Sequence, residues 1–146
     1  PLHCTALGKA ILAVLPAGEM ERYLQCGGLR AFTPKTLTDP AALRRDLERT
    51  AARGYSIDDM EHEEGVRCVG VPIRDREGRA FASISVSGPA HRLSPARDAE
   101  IVRSLRRATS RSCRGAAPIR THSAKSISSR SWQPAPRWPR KAGTAA

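Results

Sequence analysis

Apolar residues recur at helical intervals over the first third of the chain. Between Thr5 and Leu15, the residues Ala6, Leu7, Ala10, Ile11, Val14 and Leu15 fall on one side of a helix, with Thr5 placed to cap it. A shorter helix follows Pro16 and closes on Gly27 and Gly28. After an extended, turn-rich stretch, Asp39 and Pro40 open a third helix. Leu43, Leu47 and Ala51 mark its buried side and Gly54 its stop. The period then changes to two. "YSIDD" predicts a short strand, "MEHEEG" a charged loop, and "VRCVGVPIRD" a longer strand with Val66, Cys68 and Gly70 on one face and Arg67, Val69 and Val71 on the other. The turn "DREGR", built around Gly78, joins it to an antiparallel partner, "AFASISVSG". Ser94 and Pro95 start a last helix with Ile101, Val102 and Leu105 as its stripe, running to Thr109. Helices, then a hairpin, then a closing helix predict an α+β domain.

The second hairpin strand carries an oddity. Ser83, Ser85 and Ser87 point one way and Ile84 and Val86 the other. By alternation alone the serines are the wet side of a half-buried strand.

Composition divides the chain in two. Of its 146 residues, the first 90 hold 12 Lys and Arg against 12 Asp and Glu, so the formal charge of +11 comes wholly from the remainder, where Asp98 and Glu100 are the only acidic residues. From Ser110 the periodicity collapses into a Pro-, Ser- and Arg-rich stretch holding both tryptophans, Trp132 and Trp138. Such a composition predicts a disordered tail over 110–146 beside one folded domain over 1–109. No apolar run reaches the roughly eighteen residues a membrane span needs, and no signal-peptide pattern opens the chain. The expectation is a soluble cytoplasmic protein. Cysteines at 4, 26, 68 and 113 form no CxxC pair and read as free thiols. No motif asks for a cofactor; Gly8-Lys9 lacks the Gly-rich spacing of a phosphate loop and reads as helix packing.

Several long segments together carry a resemblance: "LHCTALGKAILAVLP", "GLRAFTPKTLTDPAALRRDLERTAARGYSIDD", "EHEEGVRCVGVPIRD" and "FASISVSGPAHRLSP". In this order and spacing, residues 2 to about 108 resemble the effector-binding domain of the IclR family of bacterial transcriptional regulators. The resemblance implies a GAF-like sensor of partial extent that is not an enzyme. It implies a small-molecule effector as partner and a homodimer or homotetramer as assembly. Family members resemble one another in carrying an N-terminal winged helix-turn-helix. On this resemblance Pro1 already lies inside the sensor, so the DNA-binding domain, the linker helix and the first sensor elements are expected to be missing, and DNA is a partner only through them.

The resemblance also implies where an effector would bind: Ala6, Leu7 and Gly8 at the opening of the first helix, Asp58 at a strand end, Cys68 in the first hairpin strand, and Ser85 and Ser87 in the second. These residue types suit a small carboxylate or hydroxy acid. Unpaired N–H groups at a helix opening favour an anionic oxygen. Ser85 and Ser87, about 7 Å apart on one strand face, each donate and accept hydrogen bonds. Asp58 accepts from a ligand hydroxyl or from water.

Other readings stay open at this point. His3, Cys4, Asp58, His62 and Cys68 are donor types that suit zinc. Cys68 has the type of a thiol nucleophile, although no base is placed beside it in the sequence. Arginines interleaved with Trp132 and Trp138 are suited to unspecific nucleic-acid binding. A fragment without function, its apolar surface and sheet edge uncovered, is the remaining alternative.

Overall fold

A computed structural model describes residues 1–115, with side chains to Ser110; the segment 116–146, where most of the expected basic tail falls, lies outside the described residues. The elements are α1 (Ala6–Leu12), α2 (Ala17–Gln25), α3 (Pro40–Arg53), β1 (Ser56–Asp59), β2 (Val66–Arg74), β3 (Ala80–Pro89), a 3-10 turn at Pro95–Arg97, and α4 (Asp98–Gly115). The order is the predicted one. α4 continues past Thr109, into residues that loss of periodicity had assigned to the tail. Nothing from Ser110 to Arg114 breaks a helix, and the first proline beyond it is Pro118.

Local chemistry explains the boundaries. The Asp39 side chain accepts from the N–H groups of Ala41 and Ala42 at 3.2 and 3.0 Å, and Gly54 closes α3 in the left-handed region at φ 76°. Thr5 Oγ1 accepts from Gly8 N–H at 3.1 Å to start α1. That helix ends three residues before the predicted Leu15, because Leu15 precedes Pro16 and the helical region is disfavoured there. In the hairpin turn, Asp75 Oδ1 takes Arg79 N–H at 2.8 Å while Gly78 adopts φ 81°.

The three strands form one antiparallel sheet in the order β1-β2-β3. Val69, Val71 and Ile84 leave one face and pack against Leu93 and the α4 residues Ile101, Val102 and Leu105. Arg67, on the same face, is buried and forms a bidentate pair with Asp98 at 2.7 and 2.9 Å. The opposite face carries α1, beyond which Leu12, Leu24, Leu43 and Leu47 build a second apolar cluster joining α1, α2 and α3. The architecture is therefore α+β, helix on sheet on helix.

Gly70 sets how closely α1 lies on the sheet. A Cβ at that position would stand 2.9 Å from Ala6 O and 2.9 Å from Ser56 Oγ, and Ser56 Oγ itself donates to Ala6 O at 2.6 Å. Gly70→Ala is expected to push α1 away at a cost of about 1–3 kcal/mol, the usual penalty of overpacking. Urea denaturation measures it; a loss under about 0.5 kcal/mol, the scale of an inconsequential surface change, would show that the contact is not tight.

Candidate functional site

Strand register assembles the site. Asp58 of β1 stands opposite Cys68 of β2, and Cys68 stands opposite Ser87 of β3, so the three form one row across the sheet. The next row is Ser56, Gly70 and Ser85. Both rows point to the α1 side. Above them a cleft of about 260 Å³ is lined by Thr5, Ala6 and Leu7 from the opening of α1, Asp58, His62 and Glu63 from the end of β1 and its loop, and Val66, Cys68, Ser85 and Ser87 from the hairpin.

Six of the seven residues expected at an effector site thus share one cleft: Ala6, Leu7, Asp58, Cys68, Ser85 and Ser87. Gly8 does not line it. Its N–H is taken by Thr5, and a Cβ there would run into the Leu2 backbone at 2.3 Å, which makes Gly8 a packing residue. Four lining residues were not foreseen as effector contacts: Thr5, His62, Glu63 and Val66. Ser83, given no role, donates to Leu7 O at 3.1 Å and so ties β3 to the first turn of α1.

Asp58 has two tasks. It is 3 % exposed, and its Oδ1 accepts from Glu61 N–H at 2.8 Å and His62 N–H at 3.4 Å, which shapes the loop after β1. Burial pushes its carboxyl above the usual range, against the pull of those two N–H groups and of the Lys9 charge. Burial likewise pushes the Cys68 thiol up, against the pull of the neighbouring Ser87. A thiol held protonated is a poor nucleophile, so the arrangement gives no support to thiol chemistry.

The loop is held from behind as well. Met60, with φ 62°, passes its carbonyl to Thr33 Oγ1 at 2.7 Å, and Glu61 O accepts from Thr36 Oγ1 at 2.5 Å. Lys9 of α1, fully buried, reaches Glu61 at 2.6 Å and Asp46 of α3 at 2.8 Å. Burial raises the Glu61 carboxyl to about 7 despite Lys9, and among the described residues its Oε2 has no hydrogen-bond partner.

The five residues considered for zinc do not converge. His3 Nε2 bonds to Arg30 O at 3.0 Å, and the His62 ring lies tilted against Phe32 with centroids 5.1 Å apart. Among the described residues no three His, Cys, Asp or Glu side chains are grouped as a metal site. A second cleft, of about 270 Å³, lies between α1, the end of α3, β2 and α4 around Ala10, Ala51, Tyr55, Val71 and Arg106. It carries the Thr50 and Tyr55 hydroxyls and two arginines, Arg74 and Arg106, but no carboxyl and none of the residues expected at an effector site, so the first cleft is the better candidate. No helix among the described residues is long and apolar enough to cross a membrane.

An α+β domain with a small cleft between its sheet and a covering helix is the class of structure these observations define. The family model described as "Bacterial transcriptional regulator IclR C-terminal" matches residues 1–114. The HTH-type transcriptional repressor AllR of Klebsiella pneumoniae is 44% identical over 110 residues, covering 73% of this chain and 40% of the repressor. Among solved structures, Thermotoga maritima IclR has a TM-score of 0.71 at 40% identity, covering 77% of this chain and 47% of that one. A double mutant of the inducer-binding domain of the PobR transcription factor from Acinetobacter, in complex with 3-hydroxybenzoic acid, has a TM-score of 0.71 at 26% identity, covering 77% of this chain and 67% of that one. The chain belongs to the IclR family of bacterial transcriptional regulators and carries the family's C-terminal domain. It spans less than half the length of the curated relative it matches.

Proposed function

We propose that this domain is a ligand sensor whose effector, a small organic acid, occupies the cleft above the Asp58–Cys68–Ser87 row. The observation that carries the reading is that register: three strands place a carboxyl, a thiol and two serine hydroxyls together under the first turn of α1. The volume of about 260 Å³ suits a molecule of one ring or a short chain. The related PobR domain, bound to a hydroxylated aromatic acid, supports the same ligand class. In the intact regulator, a homodimer or homotetramer acting in the cytoplasm, the acid would favour one sensor state over another. DNA affinity would then shift by that difference in binding free energy. Catalysis is no part of this role.

Calorimetric titration with acetate, lactate, 2-oxobutyrate, benzoate and 3-hydroxybenzoate tests the reading. At least one acid should bind, and the double variant Ser85→Ala, Ser87→Ala should weaken it about 5- to 30-fold, the loss of one or two hydrogen bonds of about 1 kcal/mol each. Binding unchanged in the double variant would remove the serines from the site.

A further inference from the structure

We propose that a carboxylate ligand enters this cleft together with a proton, held between the ligand's carboxyl group and Asp58. The inference rests on the cleft being the effector site and concerns what the ligand must bring with it.

Among the described residues lining the cleft there is no Lys or Arg; the titratable groups are Asp58, His62, Glu63 and Cys68. Nearby cations are committed elsewhere. Lys9 is fully buried and held by Asp46 and Glu61, and Arg67 leaves the opposite sheet face for Asp98, with Asp59 at 3.7 Å. α1 has seven residues; Thr5 takes its Gly8 N–H, and the Ala6 and Leu7 N–H groups at its opening bring partial dipoles rather than a full countercharge. An arriving carboxylate therefore meets a second carboxyl on the cleft wall.

Two carboxylates in one small, partly desolvated site do not both stay ionised; one proton is shared and the pair titrates as a unit. Asp58 is the wall group suited to that partnership. It is buried, its Oδ1 is already fixed by the Glu61 and His62 N–H groups, and it sits in the row with Cys68 and Ser87. The charged groups around it are Lys9 from α1, Glu61, His62 and Glu63 from the loop, and Cys68 from β2; β3 contributes only hydroxyls. Glu63, exposed, stays solvated. His62, also exposed, is the one other group able to neutralise an anion here, and the test separates the two.

The balance is simple. One proton from solvent joins the ligand–Asp58 pair on binding and returns to solvent on release. Titrating the unmodified chain with benzoate and 3-hydroxybenzoate in buffers of different ionisation enthalpy should show uptake of about one proton near pH 7.5. Affinity should fall about tenfold per pH unit above neutrality, since one pKa unit is 1.36 kcal/mol. Asp58→Asn, which keeps the oxygen that caps the loop, should still bind but lose the uptake and the slope. Wild-type binding without proton uptake would overturn the inference while leaving the effector site standing. Uptake that survives Asp58→Asn and disappears in His62→Gln would overturn it in favour of the imidazole. No heat from any acid at any pH would instead sink the effector-site reading itself.

Discussion

Lys9→Met is expected to lower the unfolding free energy by about 3–5 kcal/mol, the range for removing one partner of a buried ion pair. The ammonium is wholly enclosed and bridges two carboxylates from distant parts of the chain, Asp46 at 2.8 Å and Glu61 at 2.6 Å. Methionine fills a similar volume but leaves both acids without their cation. The same cluster makes a pH signature. Glu61 titrates near 7 in the fold against 4.5 when unfolded, so the folded chain keeps a proton that the unfolded chain releases. Its contribution to stability is fully present below pH 4.5 and is lost as pH rises through about 7. In Glu61→Gln that component should vanish, so the stability difference from wild type changes with pH across this window. Pairing Lys9→Met with Glu61→Gln should cost less than the sum of the single changes. Urea denaturation at several pH values measures all three; additive losses and a pH-independent difference would show that the cluster is not coupled.

Asp98→Ala is expected to cost a similar amount, about 3–5 kcal/mol, for the same physical reason. It strands the Arg67 guanidinium on the buried face between β2 and α4, with only Leu93 O at 2.9 Å and the distant edge of Asp59 left to it. Because Asp98 also opens α4, its loss removes a favourable charge from the helix N-terminus. Replacing both partners, Arg67→Met with Asp98→Leu, should recover much of the loss, since neither change then leaves a buried charge alone. Urea midpoints would report this, and a loss below about 1 kcal/mol for Asp98→Ala, the level of an exposed pair, would mean that water reaches the guanidinium.

Much of the fold is legible in the chain because its signals are local. Asp39 and Gly54 bracket α3 through hydrogen bonds made within the helix ends, and alternation over Val66 to Val71 and Ser83 to Ser87 assigns faces without knowledge of any partner. Where the outcome depends on distant residues, periodicity misleads. α1 does not bury Leu7, which is 43% exposed; it buries Gly8 and Lys9. A lysine counts as a solvent residue in any hydrophobic pattern, and nothing local announces that Asp46 and Glu61 will enclose it. Gly8 enters the expected site as part of the helix opening over residues 6 to 8, whereas its N–H is taken by Thr5 and its missing Cβ makes room for Leu2.

The cleft shows the same division. Period two brings Cys68, Ser85 and Ser87 to one face once the hairpin register is known, and Asp58 joins them because β1 pairs with β2 in the frame that sets it opposite Cys68. His62 and Glu63 reach the rim because Thr33, Thr36 and Lys9 pin the intervening loop, and those contacts span 25 to 52 positions of sequence. Ser83 reverses the other way. It looked like an idle member of a wet row, yet its hydroxyl anchors the helix under which the cleft forms.

The structure thus couples stability to the site. Lys9 holds the loop that follows Asp58 and carries His62, and Ser56 and Ser83 hold the α1 turn that faces them, so an effector acting here would act on two elements clamped by polar bonds. Amide chemical-shift mapping of the whole chain titrated with 3-hydroxybenzoate addresses the central claim most directly. The account predicts saturable shifts at Ala6, Leu7, Asp58, Cys68, Ser85 and Ser87, with Ala10, Ala51, Tyr55 and Val71 unmoved. Saturable shifts gathered at the second group, around the cleft between α3 and α4, with the first group silent, would contradict it.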